Sequence, residues 1–199
     1  MKSSVGDARE RVEQWSRAVE TAPGSAAAHF NLGTALLDLG LAARAEEEFR
    51  RAVELRPGFP EALVNLGGLM LSRLDFHGCI EANRKARETR PDLLPAHYGE
   101  GLGCLYLGEA KEMVACFRRA LEVDGRHAPS HYHLAVGLLA LGELAESEAH
   151  LEAALEGGFS PAPGFLRELQ KARGGPVPTL EFNPKTGSGA PATARHEEE

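Results

Sequence analysis

The chain has 199 residues, 43% hydrophobic and 26% charged, with a formal net charge of −7. That is one domain's worth of ordinary globular sequence, and its acidic balance excludes a general nucleic-acid binder, which needs a basic footprint, and attraction to an anionic membrane surface. Three cysteines, an odd number, make no disulfide framework; Cys79, Cys104 and Cys116 read as small core or near-core hydrophobes in a reducing compartment.

In chain order, MKSSVGDARERVEQ has no apolar run, so no signal peptide is expected. No later stretch reaches the about 18 apolar residues of a membrane span, and a cytoplasmic protein is the expectation. Residues 1–6 read as disordered. Asp7 predicts a capped helix ending near Thr21, before Pro23-Gly24. From Ala26 to Phe59 the chain reads AAAHFNLGTALLDLGLAARAEEEFRRAVELRPGF, and this register restarts at Pro60, Leu94 and Ala128, always 34 residues on. A fixed period of that size marks a helical repeat array. The copies span 26–59, 60–93, 94–127 and 128–161, each read as two antiparallel helices, about 26–39 and 42–55 in the first. Gly40, Gly108 and Gly142 break the first helix of three copies, and Leu74-Asp75 stands there in the second. Residues 162–173, with Phe165 and Leu169 facing inward, predict a C-terminal capping helix. From Gly174 to Glu199, Pro, Gly, Ser and Thr predict a disordered tail with one apolar island, Val177, Leu180 and Phe182.

The residues at matched positions carry a resemblance. Leu32-Gly33 and Leu66-Gly67 are followed by Glu100-Gly101 and Leu134-Ala135. Ala45, Cys79, Met113 and Ser147 open the second helices, with Phe49, Asn83, Phe117 and Leu151 four residues on. Ala52, Ala86, Ala120 and Ala154 come late, and Pro57 and Pro91 close the first two copies where Gly125 and Phe159 close the others. In this pattern the chain resembles the tetratricopeptide repeat family over residues 7–173. The resemblance implies an all-α fold, a right-handed α-solenoid of antiparallel helix pairs, with residues 7–25 as a partial repeat that caps the first full copy and Trp15 in its large slot.

Catalytic and metal chemistry find no foothold, and no cofactor or enzyme activity is expected. His131 and His133 are two apart and point to opposite sides of a helix. His29, His97 and His131 recur in one slot of successive copies, but packed helices stand about 8 to 10 Å apart, too far for one ion with metal–nitrogen bonds near 2 Å. Gly99, Gly101 and Gly103 lie in a predicted helix rather than after a strand, so they make no phosphate loop. The run Glu46-Glu47-Glu48 reads as a solvated face opposite Arg50-Arg51.

Slots are counted from 1 at the start of each copy. By the family geometry, slots 2, 5, 9, 12 and 13 of the first helices face a concave groove. Slot 5 holds Phe30, Val64, Tyr98 and Tyr132; slot 9 holds Thr34, Gly68, Leu102 and Val136; slot 12 holds Leu37, Leu71, Leu105 and Leu139. Tyr106 lies in slot 13, and Asn31, Asn65 and His133 in slot 6. The expected partner-binding groove is therefore apolar, formed by Phe30, Asn31, Thr34, Val64, Asn65, Tyr98, Leu102, Tyr106, Tyr132, His133 and Val136. Aromatic anchors in an apolar patch mark a binding surface. The other reading, that these residues are core and the groove is polar or narrow, stays open. Relatives that clamp acidic chaperone tails do so with Lys, Asn and Arg; Asn65 matches one of those positions, but Phe30 and Thr34 replace the first pair and Pro95 and Gly99 the two later cations, so such a tail is not the expected ligand. The reading is a non-enzymatic adaptor for a protein or peptide partner. Two alternatives are a homo-oligomeric scaffold whose own tail docks in the groove and a regulatory subunit of an enzyme encoded elsewhere.

Overall fold

The computed structural model describes residues 4–174. Among these residues all regular structure is helical: α1 (Ser4–Thr21), α2 (Ala26–Asp38), α3 (Ala42–Leu55), α4 (Pro60–Ser72), α5 (Phe76–Thr89), α6 (Leu94–Leu107), α7 (Ala110–Val123), α8 (Ala128–Ala140), α9 (Leu144–Glu156) and α10 (Pro163–Ala172). The fold is an all-α array of helical repeats. It divides into two units, residues 1–125 with α1–α7 and residues 126–199 with α8–α10.

Helix starts follow the local chemistry. Ser25 and Asp75 cap α2 and α5, accepting from the amides of Ala28 and Gly78. Pro60 and Pro163 open their helices and Pro95 and Pro129 sit one position later, where a missing N–H costs nothing. α1 corrects the expectation of disorder over residues 1–6, since it begins at Ser4. Asp7 is not its cap but an acidic side chain in its first turn, where it complements the helix dipole. The expected disorder of residues 1–3, and of the tail beyond Gly174, lies outside the described residues.

The mid-repeat turns share one backbone. Gly40, Gly108 and Gly142 have φ of +74°, +74° and +81°. Each turn closes with the amide that follows the glycine reaching back five positions, as Leu41 N to Leu36 O at 2.9 Å. The second copy closes identically, Asp75 N to Met70 O at 2.9 Å, but Leu74 must take φ +64° to do so.

Inside each copy a small residue of the first helix receives a large one of the second. A Cβ on Gly33 would meet the Phe49 ring at 2.7 Å, and one on Gly101 the Phe117 ring at 2.8 Å. Gly67 is opposed by Asn83, and in the second unit Leu151 and Ala135 share one core cluster. Glycine lets the helices approach until a whole phenyl ring fills the gap, which is why its helix cost of roughly 1 kcal/mol is offset. Phe49 and Phe117 are wholly buried, each contributing about 1.5–3 kcal/mol by area.

Candidate partner-binding site

In the first unit the slot-5 side chains lie against their own cores. Phe30 is half-buried between Phe49 and Phe59, with ring centroids at 5.8 and 5.0 Å. Val64 packs on the Leu63, Ala86 and Ala96 cluster. Tyr98 meets Phe117 edge-on at 5.6 Å. Thr34 turns its hydroxyl inward to donate to Phe30 O at 3.0 Å. Asn31, Asn65 and Leu102 are half-buried. Tyr106 alone of these expected residues stands out, 59% exposed and stacked flat on Phe76 at 5.1 Å. These side chains flank the core more than they line an open apolar stripe.

The second unit differs. α10 leaves an open recess of about 740 Å³ against α8, walled by Tyr132, Val136, Leu139 and Ala140 on one side and Phe165 and Ala172 on the other. Apart from a Lys171–Glu168 ion pair of 2.7 Å at its rim, the wall is apolar. Tyr132 is the floor rather than a free anchor, 8% exposed. Its ring stacks on Phe159 at 4.6 Å and meets Phe165 edge-on at 5.5 Å, and its hydroxyl accepts from Ala162 N at 3.3 Å. His133 is half-buried beside Phe159, and burial pulls its pKa down to about 4.

The sequence profile of the tetratricopeptide repeat matches residues 4–60 and 98–163, more than half of the chain. The chain belongs to the tetratricopeptide repeat family. No curated protein matches it. Among solved structures it is similar to YrrB, described as a tetratricopeptide repeat protein with an unusual peptide-binding site: 18% identity, TM-score 0.72, covering 82% of this chain and 84% of that one. PilF of Pseudomonas aeruginosa is similar at 20% identity and TM-score 0.72, over 83% of this chain and 78% of its own. MamA of Desulfovibrio magneticus RS-1, from its residue 41 on, is similar at 18% identity and TM-score 0.69, over 77% and 86%. At such identities the likeness is one of fold. Tetratricopeptide repeat proteins are in general non-catalytic protein-interaction scaffolds.

The polar residues of the repeats form pairs that sequence reasoning missed. The recurrent slot-4 histidines are backbone clamps: His29 Nε2 lies 3.1 Å from Pro23 O and His97 Nε2 lies 2.7 Å from Pro91 O. Their other nitrogen faces the position 19 residues on, as in His29 Nδ1 to Glu48 at 2.7 Å and His131 Nδ1 to His150 Nδ1 at 2.9 Å. In the third copy that position is Cys116, and the buried His97 Nδ1 has no hydrogen-bond partner. The signal was present as a matched pair 19 apart, His with Glu and His with His. The acidic run is corrected in the same way. Glu47 is exposed, but Glu48 belongs to His29, and Glu46 is buried and held by Arg50 and Arg73. Among the described residues no group of three or more His, Cys, Asp or Glu could hold a metal, and no helix is long and apolar enough to cross a membrane.

Proposed function

We propose that the chain is a non-enzymatic adaptor and that the α8/α10 recess receives an apolar segment of a partner polypeptide. The observation that carries this is the recess itself, an apolar hollow on a fold where Phe30 and Tyr98, two of the other expected anchors, are packed against core rings. Its size falls within the range of ligand pockets, about 300–1,000 Å³, room for a few side chains. The described peptide-binding site of YrrB supports a peptide ligand for this fold. Ala140 is exposed at the recess wall, so Ala140→Arg places a charge there with little strain on the fold. Affinity capture with mass spectrometry, wild type against Ala140→Arg, should lose a defined partner, whose purified segment then binds the variant at least about 10-fold more weakly. An unchanged partner set with equal affinities overturns the assignment.

A second reading is favoured by where the recess lies. α10 forms its wall up to Ala172, and the chain continues from there to Val177, Leu180 and Phe182, which are outside the described residues. That island then occupies the recess of its own chain or of a second copy. Truncation after Gly174 should raise the binding of an apolar fluorescent dye or change the oligomeric state; no change in either removes this reading.

A further inference from the structure

The fourth copy departs from the polar pairing of the first. Slot 4 of the first helix faces the position 19 residues on, and in the first copy this sets His29 Nδ1 against a carboxylate oxygen of Glu48 at 2.7 Å. In the fourth copy the facing position holds a second imidazole, and His131 Nδ1 of α8 stands 2.9 Å from His150 Nδ1 of α9. A carboxylate accepts the N–H of its histidine and the pair is complete. Two neutral imidazoles bring two Nδ1 atoms to one place and need only one proton between them. A cation that draws on both lone pairs uses them more fully, and neutral imidazole is the commonest metal ligand among side chains.

The hairpin holds the two rings in place. Ser147 of α9 donates to Ala135 O of α8 at 2.7 Å, and both residues are wholly buried. Ala135 lies four residues after His131 and Ser147 three before His150, so this bond sets the helix spacing one turn from the rings. The His150 side chain is 24% exposed and His131 is half-buried, so solvent reaches the pair. Glu146, one turn before His150, holds its Oε1 3.8 Å from His150 Nε2. A histidine that gives Nδ1 to a metal carries its proton on Nε2, and a carboxylate facing that N–H orients the ring and raises its basicity.

We propose that His131 and His150 are the two protein ligands of a divalent transition-metal site, of the Ni(II) or Cu(II) type, that pins α8 to α9. At metal–nitrogen bonds of about 2.0–2.1 Å, two nitrogens 2.9 Å apart subtend about 90° at the ion. That is the angle between neighbouring ligands in the square-planar and tetragonal complexes of Cu(II) and Ni(II), whereas tetrahedral zinc needs the nitrogens about 3.3 Å apart. The ring centroids lie 5.1 Å apart with planes inclined by 32°, so each ring turns about its own stem until both lone pairs converge on the ion. Water fills the remaining positions. Glu146 stands behind a ligand rather than being one, and the site is a two-residue chelate, in keeping with the lack of any three-residue metal set among the described residues. Comparing histidines between copies misses this pair, because it lies within one copy. α8 also carries Tyr132, Val136, Leu139 and Ala140 of the recess wall, but the metal site does not depend on what the recess binds.

The test uses the full chain and Ni(II) alone. Titration calorimetry should find one site per chain that His131→Gln or His150→Gln weakens at least about 10-fold. His77→Gln, at an exposed histidine of the first unit, should leave it unchanged, and Zn(II) should bind more weakly than Ni(II). A ligand of the folded chain raises its melting temperature, so Ni(II) at about a hundred times its Kd should raise the wild-type melt by several degrees and that of His150→Gln not at all. Equal affinity in wild type and both pair variants, loss of the site in His77→Gln, tighter binding of Zn(II) than of Ni(II), or a wild-type melt that Ni(II) does not raise overturns the proposal. The wild-type melt decides the matter even if a variant folds poorly.

Discussion

Two regions built on one repeat treat their slot-5 aromatics differently. In the first unit Phe30 and Tyr98 lean on Phe49 and Phe117 of their own copies and are half-buried there. In the second unit Leu151 stands where the phenylalanines stand, and Tyr132 packs instead on Phe159 and Phe165. The partner ring has moved from the second helix to the closing turn and the terminal helix. α10 packs through Phe165 and Leu169, and beside that contact the wall of α8 stays open as the recess. An open apolar wall thus needs a terminal element that covers only part of the helix it caps.

The tightness of the first unit is the side of this comparison easiest to break. Gly67 and Gly68 are neighbours in α4 with opposite surroundings: a Cβ on Gly67 would sit 2.3 Å from Asn83 Nδ2, while one on Gly68 has nothing within 4 Å. Asn83 is almost wholly buried and donates to Cys79 O at 2.8 Å, so it has little freedom to withdraw. Gly67→Ala should therefore destabilise by about 2 kcal/mol, as overpacking does, and Gly68→Ala should stabilise by about 0.5–1 kcal/mol through the unfolded chain's lost freedom. Denaturant melts of the two variants should bracket the wild type. Equal effects would mean that the closely packed seam is looser than drawn.

Acid acts on the second unit. Burial holds His133 at about 4 against an ordinary 6.5. With the folded pKa below the unfolded one, the unfolded chain binds more protons between those values. The contribution is complete above about pH 6.5 and falls as pH drops toward 4, by at most about 1.4 kcal/mol per pH unit; the partial exposure of the ring lowers that ceiling. His133→Phe keeps a ring beside Phe159 and should flatten this acid limb in melts recorded across the range. An unchanged slope would place the buried proton site elsewhere.

The period of 34 made the helix pairs legible, because repeat packing forces matched slots to recur. The groove was less legible. Tyr132 shares a slot with Phe30 and Tyr98, and slot number alone made all three equal anchors. What separates them is Phe159, a bulky ring where the first two copies have Pro57 and Pro91. That departure was visible, but its consequence required knowing where the turn lies over α8. The recess was invisible for a stronger reason, since it depends on how far α10 stands from α8, a distance between elements that no periodicity encodes. Glu46 and Glu48 misled because an acidic run looks solvated until the partners, Arg73 and His29, are found on neighbouring helices.

The smallest expected effect concerns a turn the two regions share. Gly142 in the second unit and Gly40 and Gly108 in the first take left-handed backbone without cost, whereas Leu74 takes it at φ +64° with a Cβ in the way. That conformation costs an L-residue roughly 1–2 kcal/mol. Its side chain recovers little, being 72% exposed. Leu74→Gly removes the strain but gives the unfolded chain more freedom, a loss of up to about 1 kcal/mol, so the net gain should be about 0.5–1 kcal/mol. The closing bond from Asp75 N to Met70 O is already in place, so helix α4 should keep its length. A higher denaturation midpoint at unchanged m-value is the expected result. If the midpoint falls instead, the exposed leucine is covered by something in the folded state, and the second copy's turn differs from the other three by purpose rather than by drift.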